Sequence, residues 1–373
     1  MNRTYKDLNP SERILLGPGP SNCHPRVLNA MSMPVIGHLD PEFLQIMDEI
    51  QELLRTVFRT RNRMTIPISG TGSSGMETCL ANLLEPGDTA LICRNGVFGN
   101  RMADVVERCS AKVKTVDAPW GRIIEPDAVR EKLKSLAGVK LVAIVHAETS
   151  TGAHQPLEEI SRIVHDYGAL FVVDTVTSLG GVEVRVDDWG IDAVYSGTQK
   201  CLSCPPGLSP VSFSDRAMEV IKNRKTKVQS WYMDLTLLSQ YWGESRVYHH
   251  TAPISMNYAI REALRLILEE GLEARFERHR RHSELLREKL GELGITFAAQ
   301  EGYQLPTLNA VTIPEGADDL AVRKRLLNDY GIEIGAGLGE FKGKVWRIGL
   351  MGHSSQARNV LLLREALENI LRG

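Results

Sequence analysis

Between Met64 and Ser214 the chain alternates short β-rich runs with longer stretches of helical period. The runs are Met64–Ile68, Thr89–Cys93, Lys112–Val116, Leu141–Val145, Leu170–Asp174, Asp192–Tyr195 and Pro210–Phe213. Several are apolar throughout rather than alternating, as strands covered on both faces by helices should be. Strands and helices in alternation predict an α/β fold with a doubly wound, mostly parallel sheet of seven strands. Such sheets bind ligands beyond the carboxyl ends of their strands, so the residues just after each run are the places to search.

After Ala252 the pattern changes. A helical period runs from about Met256 to Leu293, with Leu264, Ile267, Leu268 and Leu272 apolar, and short strands and two more helices follow. This predicts a smaller C-terminal α+β domain. The expected organisation is an N-terminal arm over 1–13, a large domain over 14–270 and a small domain over 271–373. Glu273–Lys289 is dense in Arg and Glu and includes His279 and His282, which predicts a solvated helix face, since two histidines supply only half a zinc shell. Asn223–Pro253 has no clear period and carries Trp231, Tyr232, Tyr241, Trp242 and Tyr248, which suits a functional loop or an oligomer interface.

Composition narrows the partners. Lys and Arg number 44 against 46 Asp and Glu among 373 residues, a net charge of −2, so no long-range field attracts nucleic acid or an anionic membrane. No apolar stretch approaches the roughly 20 residues of a membrane span. The first residues lack the apolar core of a secretory signal, and six cysteines are too few for a disulfide scaffold, which points to the cytoplasm. Cys201-Leu-Ser-Cys204 has redox spacing but no second pair, and reads as packing. His249 and His250 are adjacent, and neighbouring side chains generally point different ways.

Three segments carry candidate chemistry. Ser69-Gly-Thr-Gly-Ser-Ser-Gly75 follows a strand and opens a helix, where free N–H groups and the helix dipole favour an anion. No Lys-Ser/Thr pair follows, so it is not a P-loop. Gly70, Gly72 and Gly75 do match the dinucleotide pattern of an NAD-dependent oxidoreductase, but the next strand ends Cys93-Arg94-Asn95 without the acid that would hold a ribose. Asp174 ends the run Leu170–Asp174, as a helix N-cap or as a buried carboxylate in need of a partner. Lys200 follows the run ending at Tyr195, as a surface lysine or as a desolvated, nucleophilic amine. Phosphate cradle, strand-end Asp and strand-end Lys together suit pyridoxal phosphate.

With these residues the chain resembles the class V family of fold-type I pyridoxal-phosphate aminotransferases, most closely its alanine-glyoxylate and serine-pyruvate branch. The likeness runs through Leu16-Gly-Pro-Gly-Pro-Ser-Asn22, Ile68-Ser-Gly-Thr-Gly72, Leu84-Glu-Pro-Gly-Asp88, Glu148-Thr-Ser-Thr-Gly152, Val173-Asp174, Ser196-Gly-Thr-Gln-Lys200, Tyr248-His-His-Thr251 and Val345-Trp-Arg-Ile-Gly-Leu350. It implies Lys200 as the Schiff-base lysine and general base, and Asp174 as partner of the pyridinium nitrogen. Thr71, Gly72 and Ser73, with Gln199, would hold the phosphate, Ser73 standing where the family often has histidine. Phe98 would stack on the ring where mammalian relatives have tryptophan, with Val176 on the other face and Thr149 near O3′. Arg347 would bind the substrate carboxylate, with Gly19 and Thr149 lining the pocket. Tyr248 and Thr251 would reach the neighbouring subunit's phosphate, which makes the expected protein a homodimer.

The implied reaction is ping-pong transfer of an amino group from alanine or serine to glyoxylate or pyruvate, with ureidoglycine-glyoxylate transfer as an alternative. A cysteine desulfurase of the same fold needs a small-domain cysteine, and none occurs after Cys204. A catalytically dead scaffold would be expected to have lost Lys200 or Arg347, and both are present.

Overall fold

All seven expected strands form and join one sheet. Its order from edge to edge is Met64–Ser69, Leu208–Phe213, Ala193–Tyr195, Leu170–Asp174, Val139–Val145, Thr89–Arg94 and Lys112–Asp117. Only Leu208–Phe213 runs antiparallel to its neighbours; the pairs from Ala193–Tyr195 to Lys112–Asp117 are all parallel. The computed structural model describes residues 5–372, so residues 1–4 of the expected arm, and Gly373, lie outside the described residues.

Burial explains the sequence pattern. Leu170–Asp174 is buried at every position, between one apolar cluster that includes Val172 and another that includes Phe171 and Val173. Lys112–Asp117, at the sheet edge, keeps its lysines toward solvent, as an edge strand should. Topology also disposes of the dinucleotide reading. The glycine-rich loop leaves an edge strand that pairs only with the antiparallel Leu208–Phe213, whereas a dinucleotide fold needs that strand inside a parallel βαβ unit.

Beyond the sheet, the expected long helix is two helices, Ile254–Glu270 and Leu272–Gly291, broken at Gly271 with φ of +85°. A second sheet, Leu308–Thr312, Val345–Gly349 and Gly335–Ala336, packs with the final helix Ala357–Arg372 around Trp346. The chain's beginning joins this layer: Ile14–Leu15 pairs in parallel with Ile332–Glu333, and Leu16 packs in the same core as Trp346.

Three local expectations need correction. The stretch 223–253 is not all loop, because Asp234 caps a helix over Leu235–Trp242. The Arg- and Glu-rich helix is not uniformly solvated. His279 is fully buried, donating from Nδ1 to Arg275 O at 2.7 Å and accepting the Gly352 N–H on Nε2 at 2.9 Å. Arg275 is buried too, donating to the carbonyls of Gly180 and Cys201 and to Glu270. Charge density suggested solvent, but this face meets loop carbonyls rather than apolar side chains. Finally, His249 and His250 face each other, Nδ1 to Nδ1 at 2.8 Å. Cys201 and Cys204 are buried, as packing thiols should be, and burial pushes both thiols up.

Candidate active site

The carboxyl ends of three central strands converge on Asp174 and Lys200. Asp174 closes its strand in register with Val145 on one side and Tyr195 on the other. Its carboxylate accepts the Val176 N–H on Oδ1 at 2.8 Å and the Tyr195 hydroxyl on Oδ2 at 2.8 Å. Burial pushes its pKa up to about 7; the two hydrogen bonds pull it down, nearby Glu148 raises it and Lys200 lowers it.

Lys200 lies five residues past the end of Ala193–Tyr195 and is buried. Its Nζ donates to the carbonyl of Pro18. Desolvation, then the positive charge of Arg347, lowers its pKa to about 8, so the amine loses its proton far more easily than a surface lysine. A Cβ at Gly19, where φ is +113°, would stand 2.7 Å from that nitrogen, which explains why the turn beside the amine carries no side chain.

The glycine-rich loop behaves as an open helix end. Thr71 sits at the N-cap of Gly72–Leu83 but makes no side-chain cap bond, and Ser73 is exposed beside it. A Cβ at Gly72 would meet Val176 Cγ2 at 3.4 Å and Gly197 Cα at 3.6 Å, so helix start, Val176 and the loop before Lys200 meet closely. Gln199 Oε1 is buried there without a partner. An open helix N-terminus, an orphaned amide, a buried carboxylate and a desolvated lysine fit a phosphorylated pyridine aldehyde.

Phe98 is the second residue of the helix Val97–Arg108, its ring centroid 5.0 Å from the Arg101 guanidinium. Thr149 Oγ1 bonds Thr177 Oγ1 at 2.6 Å. Arg347, from the second sheet, reaches back to this turn, donating to Ala336 O at 2.7 Å and Thr149 O at 3.3 Å. Burial lowers its pKa to about 10, and Glu148 opposes that fall. Tyr248 and Thr251 are exposed, and among the described residues neither hydrogen-bonds this cluster.

Sequence reasoning missed Tyr195 and Glu148. Tyr195 had a readable signal, being the last residue of the strand next to Asp174's. Glu148, fully buried, stood out only as the first residue of the motif Glu148-Thr-Ser-Thr-Gly152, with no role of its own, because a carboxylate there reads as a turn residue.

The profile of the family described as aminotransferase class-V matches residues 15–345. The chain belongs to the class-V aminotransferases. Among these, alanine--glyoxylate aminotransferase of Rattus norvegicus is 44% identical over 371 residues, 98% of this chain and 89% of the relative. (S)-ureidoglycine--glyoxylate transaminase of Bacillus subtilis (strain 168) is 42% identical over 377 residues, 96% of this chain and 90% of the relative. A crystal structure of alanine--glyoxylate aminotransferase from Nostoc sp. superposes with a TM-score of 0.97 at 51% identity, covering 99% of this chain and 98% of that one. These class-V aminotransferases thus share the fold from end to end.

Proposed function

We propose that this aminotransferase uses pyridoxal 5′-phosphate to move an amino group from a small amino acid, alanine or serine, to glyoxylate or pyruvate. The observation that carries the reading is Lys200, a buried amine lowered to about 8, in a cluster that also holds a buried carboxylate and a buried guanidinium. When bound, the cofactor supplies the electron sink for charge that develops at the substrate Cα.

Each residue then has a physical task. Asp174 would hold the ring nitrogen. Thr71, Gly72, Ser73 and Gln199 would hold the phosphate at the helix end, while Phe98, Val176 and Thr149 would confine the ring. Lys200 would carry the cofactor and, once released by the incoming amine, take the proton from Cα; a pKa near 8 keeps part of it neutral at physiological pH. Arg347 would fork onto the substrate carboxylate and so fix which Cα bond is broken.

The exposed Tyr248 and Thr251 support a homodimer in which they complete the partner's phosphate site. The division into an arm, a large domain over 14–270 and a small domain over 271–373, and a cytoplasmic location, stay with this proposal. No helix among the described residues is long and apolar enough to cross a membrane. Ureidoglycine is the second donor to consider, given the Bacillus relative.

Borohydride reduction of the cofactor-loaded protein should fix the cofactor on Lys200, read by peptide mass. A donor panel against glyoxylate and pyruvate should then show turnover with alanine or serine. Absence of the Lys200 adduct would overturn the cofactor assignment, and turnover with ureidoglycine alone would overturn the donor.

A further inference from the structure

We propose that Glu148 is a positioning residue that holds the aromatic face and the arginine clamp of the site as one unit. The inference deepens the transaminase reading and rests on it.

Glu148 lies in the short strand Ala147–Glu148, paired antiparallel with Ala153–His154, and its carbonyl accepts the Gly152 N–H at 2.8 Å. The turn between the two strands is therefore closed and rigid. The carboxylate points out of this turn to the start of Val97–Arg108. Oε2 accepts the Phe98 N–H at 3.2 Å, and Oε1 accepts the Ser150 N–H at 3.0 Å and its hydroxyl at 2.5 Å. Ser150 Oγ in turn accepts the Val97 N–H at 3.0 Å. A helix whose own N-cap is Gly96, with no side chain to offer, is thus capped by a different element. Gly96 is there because a Cβ would collide with Glu148 Cδ.

The next residue faces the other way. Thr149 O receives Arg347 Nη1, so a single peptide unit separates the group that fixes Phe98 from the group that orients the guanidinium. Burial raises the Glu148 pKa, and the donors from Ser150, Phe98 and Gly99 oppose that. When charged, Glu148 favours a protonated Arg347. A buried carboxylate with these attachments does more than fill space.

Glu148→Gln conserves volume but replaces one acceptor oxygen with an amide that must face donors, leaving Phe98 or Ser150 unsatisfied. Cofactor binding to the apoprotein, followed by tryptophan fluorescence, should weaken about tenfold or more. The KM for the amino donor should rise more than kcat falls. Ser150→Ala, which keeps the charge, should give the same pattern with a smaller shift. The decisive readout is coupling: Glu148→Gln with Phe98→Leu on cofactor affinity, and with Arg347→Lys on KM, should each be non-additive, because one unit serves both. Additive effects accompanied only by a lower melting temperature, or unchanged affinity and KM, would overturn the proposal. If Glu148→Gln does not fold, Ser150→Ala takes its place in both cycles, where non-additivity supports the unit and additivity overturns it. A wild type lacking the Lys200 adduct refutes the transaminase reading; a wild type with the adduct but additive cycles refutes only the role of Glu148.

Discussion

Tyr195 and Asp174 are register partners on adjacent parallel strands, and the phenol donates to Asp174 Oδ2 at 2.8 Å. The bond selects the charged carboxylate in a place where burial resists charge. Tyr195→Phe removes one of its two donors, so Asp174 should titrate at higher pH and cofactor affinity should fall about tenfold. Titration of the apoprotein with cofactor at several pH values measures both. Unchanged affinity at every pH would take Tyr195 out of the site.

The raised Asp174 pKa has a cost that the apoprotein should reveal. With a folded value of about 7 against an ordinary value near 3.8, the folded chain holds a proton that the unfolded chain has released. This group's contribution therefore falls as pH rises from about 4 to about 7, and the penalty is complete above that window. Asp174→Asn apoprotein should melt a few degrees above wild type at pH 8, with the gap closing toward pH 4. Turnover should drop by at least about 100-fold, since a neutral amide cannot hold a protonated ring nitrogen. Identical pH dependence of the two melting curves would contradict the buried charge.

Lys200 shows the opposite sign. Its folded value of about 8 lies below the ordinary 10.5, so the folded apoprotein loses this proton first, and its destabilising contribution, full below about pH 8, fades toward pH 10.5. Selective acylation of the apoprotein should label Lys200 with a midpoint near pH 8, while surface lysines respond later. Lys200→Ala should abolish turnover. A labelling midpoint shared with the bulk lysines would remove the basis for its reactivity.

Arg347→Ala should raise the KM of every carboxylate substrate by about 100-fold, the loss expected for two charge-assisted bonds, with a smaller fall in kcat. Steady-state kinetics with donors differing only in side chain tests this. An unchanged KM would place the carboxylate elsewhere.

Subunit mixing probes Tyr248 and Thr251. If they complete the partner's site, Lys200→Ala chains mixed with Tyr248→Ala/Thr251→Val chains should regain about a quarter of wild-type activity, since half the dimers then hold one intact site. No regain on mixing would mean that each site belongs to a single chain.

The sheet was readable because its central strands, such as Leu141–Val145, are covered on both faces and so carry unbroken apolar runs. Asp174 and Lys200 were readable because strand ends are where this architecture presents ligand groups. The helix pair was misread as one because its apolar spacing continues across Gly271, and only a backbone angle breaks it. Glu148 was visible only as the first residue of a family motif, because the partner that gives it a role, the Phe98 N–H of a distant helix, is a backbone group and leaves no pattern in residue types. His279 was misjudged for a related reason: its partners are main-chain groups.

The turn carrying Pro18 and Gly19 is held from two places far apart in the chain. On one side Ile14–Leu15 pairs with Ile332–Glu333. On the other the Ser21 N–H donates to Gln199 O at 2.9 Å and the Ser21 hydroxyl to Lys200 O at 2.7 Å. Pro18 O, which receives the Lys200 amine, sits between these two attachments. During synthesis the first of them can form only after Ile332–Glu333 has been made, later than every strand of the central sheet.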